Sequence, residues 1–209
     1  MRRLRVALAK GRLYNPSVEL FCKAGAELEG DPGRRLLLPS SDPGIEFLVV
    51  KPADVPVYVE AGAADLGVTG TDVLRETGAD VLEPLELGFG RCRLVVATAG
   101  DRPYPQWPNG VTPRVATKYP QLTRRHFGAR GRPVDIVHVG GSVEVAPLLN
   151  LSHWIVDLVD TGNTLKANGL AERETILEVQ AVLVANRASQ KLNLDRYLDI
   201  MRRLGEARR

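Results

Sequence analysis

Two short stretches of this chain occur twice, in the same order each time. Arg5-Val6-Ala7-Leu8-Ala9-Lys10 returns as Arg114-Val115-Ala116-Thr117-Lys118, and Asp65-Leu66-Gly67-Val68-Thr69-Gly70 returns as Asp157-Leu158-Val159-Asp160-Thr161-Gly162. The first motif is an apolar run ending in lysine, and the second an apolar run entering a glycine turn. The intervals between copies are unequal, which excludes a strict tandem repeat. They fit two lobes of similar wiring, each presenting strand C-terminal ends towards a shared cleft. Two further apolar runs, Arg93–Thr98 and Gln180–Asn186, mark where the chain would pass between lobes, near Gly88–Arg93 and near Leu177–Val182. This predicts a first lobe of residues 1–90 with 178–209 and a second of residues 91–177. Two crossings make a hinge, and clefts between hinged α/β lobes are common ligand sites.

Short apolar runs alternate with helical stretches, the pattern of an α/β protein with largely parallel sheets. The spacing predicts strands at Arg5–Ala9, Glu46–Val50, Leu66–Thr69, Leu94–Thr98, Arg114–Thr117, Val134–His138, Trp154–Leu158 and Leu177–Asn186. It predicts helices at Tyr14–Ala24, Asp54–Ala61, Thr71–Glu76, Tyr119–Phe127, Val143–Leu149, Thr164–Asn168 and Asp195–Leu204. Four prolines between 101 and 113 predict a loop.

Composition narrows the function classes. With 44% hydrophobic and 25% charged residues the chain is neither disordered nor collagenous. No apolar run is long enough to span a membrane, and the apolar stretch Leu4–Ala9, broken by Arg5, is too short for a signal peptide. Cys22 and Cys92 have no metal-ligand partners in sequence and read as core residues of a protein in a reducing cytoplasm. A net charge of +3, dispersed and without interleaved aromatics, argues against nucleic acid. The basic C-terminus suits the end of a helix.

The strongest chemical signal is Ile155–Leu165: an apolar strand, then Asp157 and Asp160, then Thr161-Gly162-Asn163-Thr164 at the start of a helix. Free amides at a helix N-terminus hold anions, Gly162 allows close approach, and Thr161 and Thr164 add hydroxyl donors. Acids repel phosphate but suit ribose hydroxyls or a metal ion, so together these residues point to a sugar phosphate. An N-cap in an ordinary turn explains the same spacing. Gly140-Gly141-Ser142-Val143-Glu144 is a second such turn, in which Ser142 and Glu144 either cap a helix or contact ligand. Thr69-Gly70-Thr71-Asp72 is a third. Lys10 and Arg12, with Lys51 and Arg34 less strongly, supply cations at strand ends or turns. Walker A, GxGxxG and serine-hydrolase signatures are absent. His126, His138 and His153 lack metal spacing and read as structural.

Lys10-Gly11-Arg12-Leu13, Ala64–Val68, Cys92-Arg93-Leu94, Ala116–Pro120, Gly141–Pro147 and Asp157–Leu170 together resemble the ATP phosphoribosyltransferase family, in order along nearly the whole chain. The resemblance implies a two-lobed α/β core like the type II periplasmic binding protein fold. It implies transfer of the phosphoribosyl group of phosphoribosyl pyrophosphate (PRPP) to N1 of ATP, with release of pyrophosphate, at the first step of histidine biosynthesis. Magnesium (Mg2+) would travel with the substrate and need no protein metal site. Site roles follow: Lys10, Arg12 and Arg34 on pyrophosphate; Asp157, Asp160, Thr161, Gly162, Asn163 and Thr164 on PRPP; Lys51, Gly70, Thr71, Ser142 and Glu144 on ATP or ribose. The match stops with the chain, as in the short form. This implies a regulatory subunit related to histidyl-tRNA synthetase in a hetero-octamer, and a homodimer for the isolated chain. Two other classes remain at this point: a non-catalytic two-lobed solute-binding or effector-sensing module, and a phosphoribosyltransferase acting on another base.

Overall fold

A computed structural model of the chain describes residues 3–30, 33, 35–100, 102–105 and 111–208. The chain forms two compact units, residues 1–90 with 180–209 and residues 91–179. The second crossing therefore falls at Gln180, just past the strand that ends at Val179.

Unit 1 begins with β1 (Leu4–Ala9), α1 (Tyr14–Lys23), β2 (Leu37–Pro39), β3 (Ile45–Val50), α2 (Asp54–Glu60), β4 (Leu66–Gly70), α3 (Thr71–Thr77) and β5 (Leu82–Glu86). Unit 2 holds β6 (Cys92–Ala99), β7 (Arg114–Thr117), α4 (Pro120–Gly128), β8 (Asp135–His138), a 3₁₀ turn at Val143–Val145, β9 (Trp154–Val159), α5 (Asn163–Ala167) and β10 (Leu170–Val179). The chain then returns to unit 1 as β11 (Ala181–Ala185), α6 (Ser189–Leu192) and α7 (Leu194–Ala207).

The strand orders are β2-β3-β1-β4-β11-β5 and β10-β6-β9-β7-β8. Aligned on their centres they match: β3-β1-β4-β11-β5 in one unit corresponds to β8-β7-β9-β6-β10 in the other. The strands that carry the repeated sequences are equivalent, β1 with β7 and β4 with β9, but only the first repeat is in register, Arg5 with Arg114. In the second, Asp65 and Leu66 correspond to His153 and Trp154, and not to Asp157 and Leu158. The equivalence reaches single hydrogen bonds. Asp65 N–H donates to Arg5 O, and His153 N–H to Arg114 O, both at 2.8 Å. In the same places Arg5 N–H donates to Asp65 Oδ2 and Arg114 N–H to His153 Nδ1, again both at 2.8 Å.

The sheets are mixed, not largely parallel. Each has a parallel block, β3-β1-β4 or β8-β7-β9, continued by antiparallel strands: on both sides in unit 1, and beyond β9 only in unit 2, where β8 is the sheet edge. An apolar run reads the same in either direction, so periodicity could not report this. The single strand expected at Leu177–Asn186 is two strands in different sheets, divided at Gln180. The helix expected at Val143–Leu149 is only the 3₁₀ turn, because Pro147 has no N–H to return to the Val143 carbonyl. The short β2 and β5 are additional to the strands expected from the sequence; Pro39 and Pro84 within them weaken the strand signal.

Two apolar layers cover each sheet. In unit 1, Phe21, Phe47, Ile200 and Leu204 pack with one face of the strands, and Val55, Val59 and Leu74 with the other. Gly67 lets α2 lie close on β4: a Cβ there would stand 2.7 Å from Val55 Cγ1 and 2.8 Å from Val59 Cγ2. In unit 2, Phe127 stacks on the buried Trp154, and Val143, Ile155 and Leu165 fill the opposite face. Cys92 is buried, but Cys22 is exposed rather than part of the core. His126 is buried against Glu174 and Arg130, whereas His138 lies exposed at the end of β8.

Candidate active site

Parallel α/β sheets place ligands at the carboxyl ends of their strands, and the sequence candidates collect at those ends. In unit 2, β9 leads into the turn Asp160-Thr161-Gly162 and then α5. Gly162 has φ 81°, a left-handed conformation that costs a side-chain-bearing residue about 1–2 kcal/mol. A Cβ there would meet only Val159 Cγ1, at 3.8 Å, so conformation rather than space requires glycine. The first amides of α5 have no intrahelical acceptor. They border a cavity of about 210 Å³ lined by Glu144 and residues 157–165, with Asp157 and Asp160 among them. Thr161, Asn163 and Thr164 are exposed there. The structure thus brings Asp157, Asp160, Thr161, Gly162, Asn163, Thr164 and Glu144 together around one cavity.

Asp157 is the unusual member. Its side chain is 21% exposed, and Oδ1 is buried without a hydrogen bond. Lys118 Nζ lies 3.5 Å from that oxygen. Burial, aided by the negative charge of Glu144, pushes the Asp157 carboxyl above its usual range, and Lys118 opposes that rise. Lys118 directly follows β7 as Lys10 follows β1, one residue earlier in register, since Thr117 corresponds to Leu8. Its signal was the repeated lysine, yet it was not chosen as a site residue. Arg93 is a second omission. It donates to both oxygens of Glu172 at 2.8 Å and to the Asp160 carbonyl at 3.3 Å, fixing the start of the turn.

Ser142 stands at φ 49°, a strained left-handed position for a non-glycine residue, and makes no side-chain cap. The capping role for it is therefore wrong. Ser142 is exposed, and it is not among the residues lining the cavity.

In unit 1, β1 pairs in register with β3 from Leu4↔Ile45 to Ala9↔Val50. Lys10 and Lys51, the next residues on each strand, thus leave adjacent strand ends, and both are exposed. Gly70 ends β4 on the other side of β1. The adjoining Thr71 is engaged with backbone: its amide donates to Gln180 O at 2.9 Å, and its hydroxyl accepts from Gln180 N–H at 3.2 Å. Gly70 owes its identity in part to Asp72, whose Oδ1 would lie 2.1 Å from an added Cβ. Arg12 is exposed and donates from Nη2 to Gly90 O at 3.1 Å, at the first crossing. Arg34 lies outside the described residues.

By architecture this is a protein of the type II periplasmic-binding class. Its structural neighbours include Tv2483 bound to L-arginine (TM-score 0.61, 15% identity, 98% of this chain and 84% of that one). They also include the periplasmic aliphatic sulphonate binding protein SsuA from Escherichia coli (TM-score 0.58, 15% identity, 100% and 73%). At that identity the likeness shows the fold alone.

The chain belongs to the ATP phosphoribosyltransferase family. The family model for ATP phosphoribosyltransferase matches residues 51–206. The chain is 47% identical to the ATP phosphoribosyltransferase of Halorhodospira halophila over 100% of this chain and 97% of that protein. Identity to the corresponding enzyme of Marinobacter nauticus is also 47%, over 98% and 95%. A chain of the ATP phosphoribosyl transferase (HisG:HisZ) complex from Thermotoga maritima superposes with TM-score 0.88 at 33% identity, covering 98% of both chains. The protein is a transferase of the first step of histidine biosynthesis, and the binding-module alternative falls away.

Proposed function

We propose that this chain joins C1 of the PRPP ribose to N1 of the ATP adenine ring with the following division of labour. The 5′-phosphate sits on the amides and hydroxyls of Asp160–Thr164, and Asp157 or Asp160 accepts the ribose hydroxyls. Lys10 and Arg12, with Arg34, screen the departing pyrophosphate. Lys51, Gly70, Thr71 and Ser142 serve ATP, and Glu144 orients adenine or ribose. The observation that carries this is the Gly162 turn: a left-handed glycine, free helix-start amides and two carboxylates bordering one cavity.

The chemistry asks little of an acid or base. N1 of adenine is a neutral nitrogen with a free lone pair, so no proton need be removed to make it attack. Its lone pair forms the bond to C1 as the C1–oxygen bond breaks and pyrophosphate leaves with that electron pair. What the protein must supply is alignment of two large anions and preorganised positive charge where the leaving group gains negative charge. Mg2+ enters as part of the substrate, held mainly by phosphate oxygens and water.

The reading extends to assembly and location. The T. maritima chain comes from a HisG:HisZ complex, which supports a regulatory subunit here, related to histidyl-tRNA synthetase, in a hetero-octamer, with a homodimer for the chain alone. Two free thiols among the described residues suit the cytoplasm, where we place the enzyme. No described helix is long and apolar enough to cross a membrane.

The test is to mix the chain and its regulatory subunit with ATP, PRPP and Mg2+ and follow the absorbance of the N1-substituted adenine. The expected result is product formation that stops with a chelator and resumes with Mg2+. Product from another base but none from ATP would overturn the reading.

A further inference from the structure

Asp157 is set in conflict with its surroundings. It borders the candidate sugar-phosphate cavity, yet Oδ1 is buried without a hydrogen bond and Glu144 contributes a second negative charge to the same cavity. A carboxylate offers both oxygens as strong acceptors to hydroxyl protons only while it is charged, since protonation makes one of them a donor. At this position desolvation and Glu144 both favour the neutral acid.

One described cation counters them. Lys118 leaves the end of β7, next to β9 in the sheet, and carries its ammonium to 3.5 Å from the buried Oδ1. That grip falls on the enclosed oxygen, while the side chain keeps a fifth of its surface exposed. The ammonium also lies over the Tyr119 ring, 5.2 Å from its centroid. The charged groups acting on Asp157 are thus Lys118, which follows β7, and Glu144 from the 3₁₀ turn.

We propose that Lys118 is a positioning residue for sugar recognition: its ammonium keeps the Asp157 carboxylate charged and fixed at the wall of the cavity, where that carboxylate accepts the ribose hydroxyls of PRPP. The proposal rests on the assignment of the ribose to Asp157 made above. Lys118 touches no reacting atom; it acts through its partner.

PRPP with Mg2+ is the probe, and its affinity is measured by calorimetry from pH 5.5 to 9 for the wild type, Lys118→Met, Lys118→Arg and Asp157→Asn. The ligand's own phosphate titration is common to all four and cancels in the comparison. Lys118→Met keeps the stem and removes the charge. Its affinity should fall by up to about tenfold on the acid limb and match the wild type at alkaline pH, with that limb displaced upward by about one pH unit, the size expected for one lost neighbouring charge. Lys118→Arg should restore the wild-type limb, which also answers any fault in folding. Asp157→Asn should be weak at every pH. An unmoved acid limb in Lys118→Met, with Asp157→Asn still weak, overturns the role of Lys118 and leaves the ribose assignment standing. Uniform weakening of Lys118→Met without a displaced limb does the same, and would make Lys118 a direct ligand of a substrate anion. Full affinity in Asp157→Asn overturns the ribose assignment itself.

Discussion

Asp157 is an expensive residue for the fold. Its folded carboxyl binds a proton more tightly than the unfolded chain does, because burial and Glu144 outweigh Lys118. The stability it contributes is complete below the ordinary carboxylate range. That contribution declines as pH rises from there to the raised folded value, so at neutral pH the ionised group is a cost. Asp157→Asn should therefore raise the melting temperature at pH 7 by about 2–4 °C, the change that about 1 kcal/mol makes in a chain of this size, while PRPP affinity drops. Scanning calorimetry beside a binding isotherm would show the two moving in opposite directions, as expected where function is built on local strain. Arg12 presents the opposite case, an exposed cation with modest structural duty in its bond to Gly90 O. Arg12→Ala should lower turnover about 10²–10³-fold, the usual loss for one preorganised charge-stabilising donor, with much less change in the KM for PRPP. Steady-state kinetics with an unaltered turnover number would remove it from the reaction.

At the scale of elements, two glycines do different work. Gly162 turns the chain from β9 into α5 with φ 81°, and its amide neighbours border the cavity. Gly162→Val should weaken PRPP binding by at least tenfold and leave the remainder of unit 2 folded, since an added Cβ meets nothing closer than 3.8 Å. Circular dichroism should stay native while calorimetry with PRPP shows the loss. Gly67 instead permits the packing of α2 on β4. Gly67→Ala would drive a methyl into Val55 and Val59, and should cost about 1–3 kcal/mol of stability by overpacking, read as a lowered midpoint in urea. Elements also show where sequence patterns mislead. Leu170–Val179 and Ala181–Ala185 form one nearly continuous pattern across Gln180, yet they belong to different sheets. The sequence placed a crossing between lobes near here, but the residues beside Gln180 do not mark a strand end, because Val179 and Ala181–Ala185 are alike apolar and strand-forming.

At the scale of the whole molecule, the two sheets are similarly wired, down to the hydrogen bonds of Arg5 with Asp65 and Arg114 with His153, which put the first repeated motif in register and show the second to be displaced along its strand. The core strands, the major helices and the phosphate-suited turn were legible because local physics writes them: β-branched runs, helix starts, and a glycine between threonines. The chain alone also placed lysines at two equivalent strand ends. The failure of the helix after Ser142 is already written in Pro147. Pairing direction and the left-handed Ser142 came only with the fold, since each depends on neighbours distant in sequence or on a backbone angle that composition does not reveal. The same holds for the grip of Lys118 on Asp157. Thirty-nine positions separate those residues, and their charge coupling exists because β7 and β9 lie side by side and bury one carboxylate oxygen between them. Sequence supplied the chemical groups; desolvation and strand order, which only tertiary packing sets, gave them their strength.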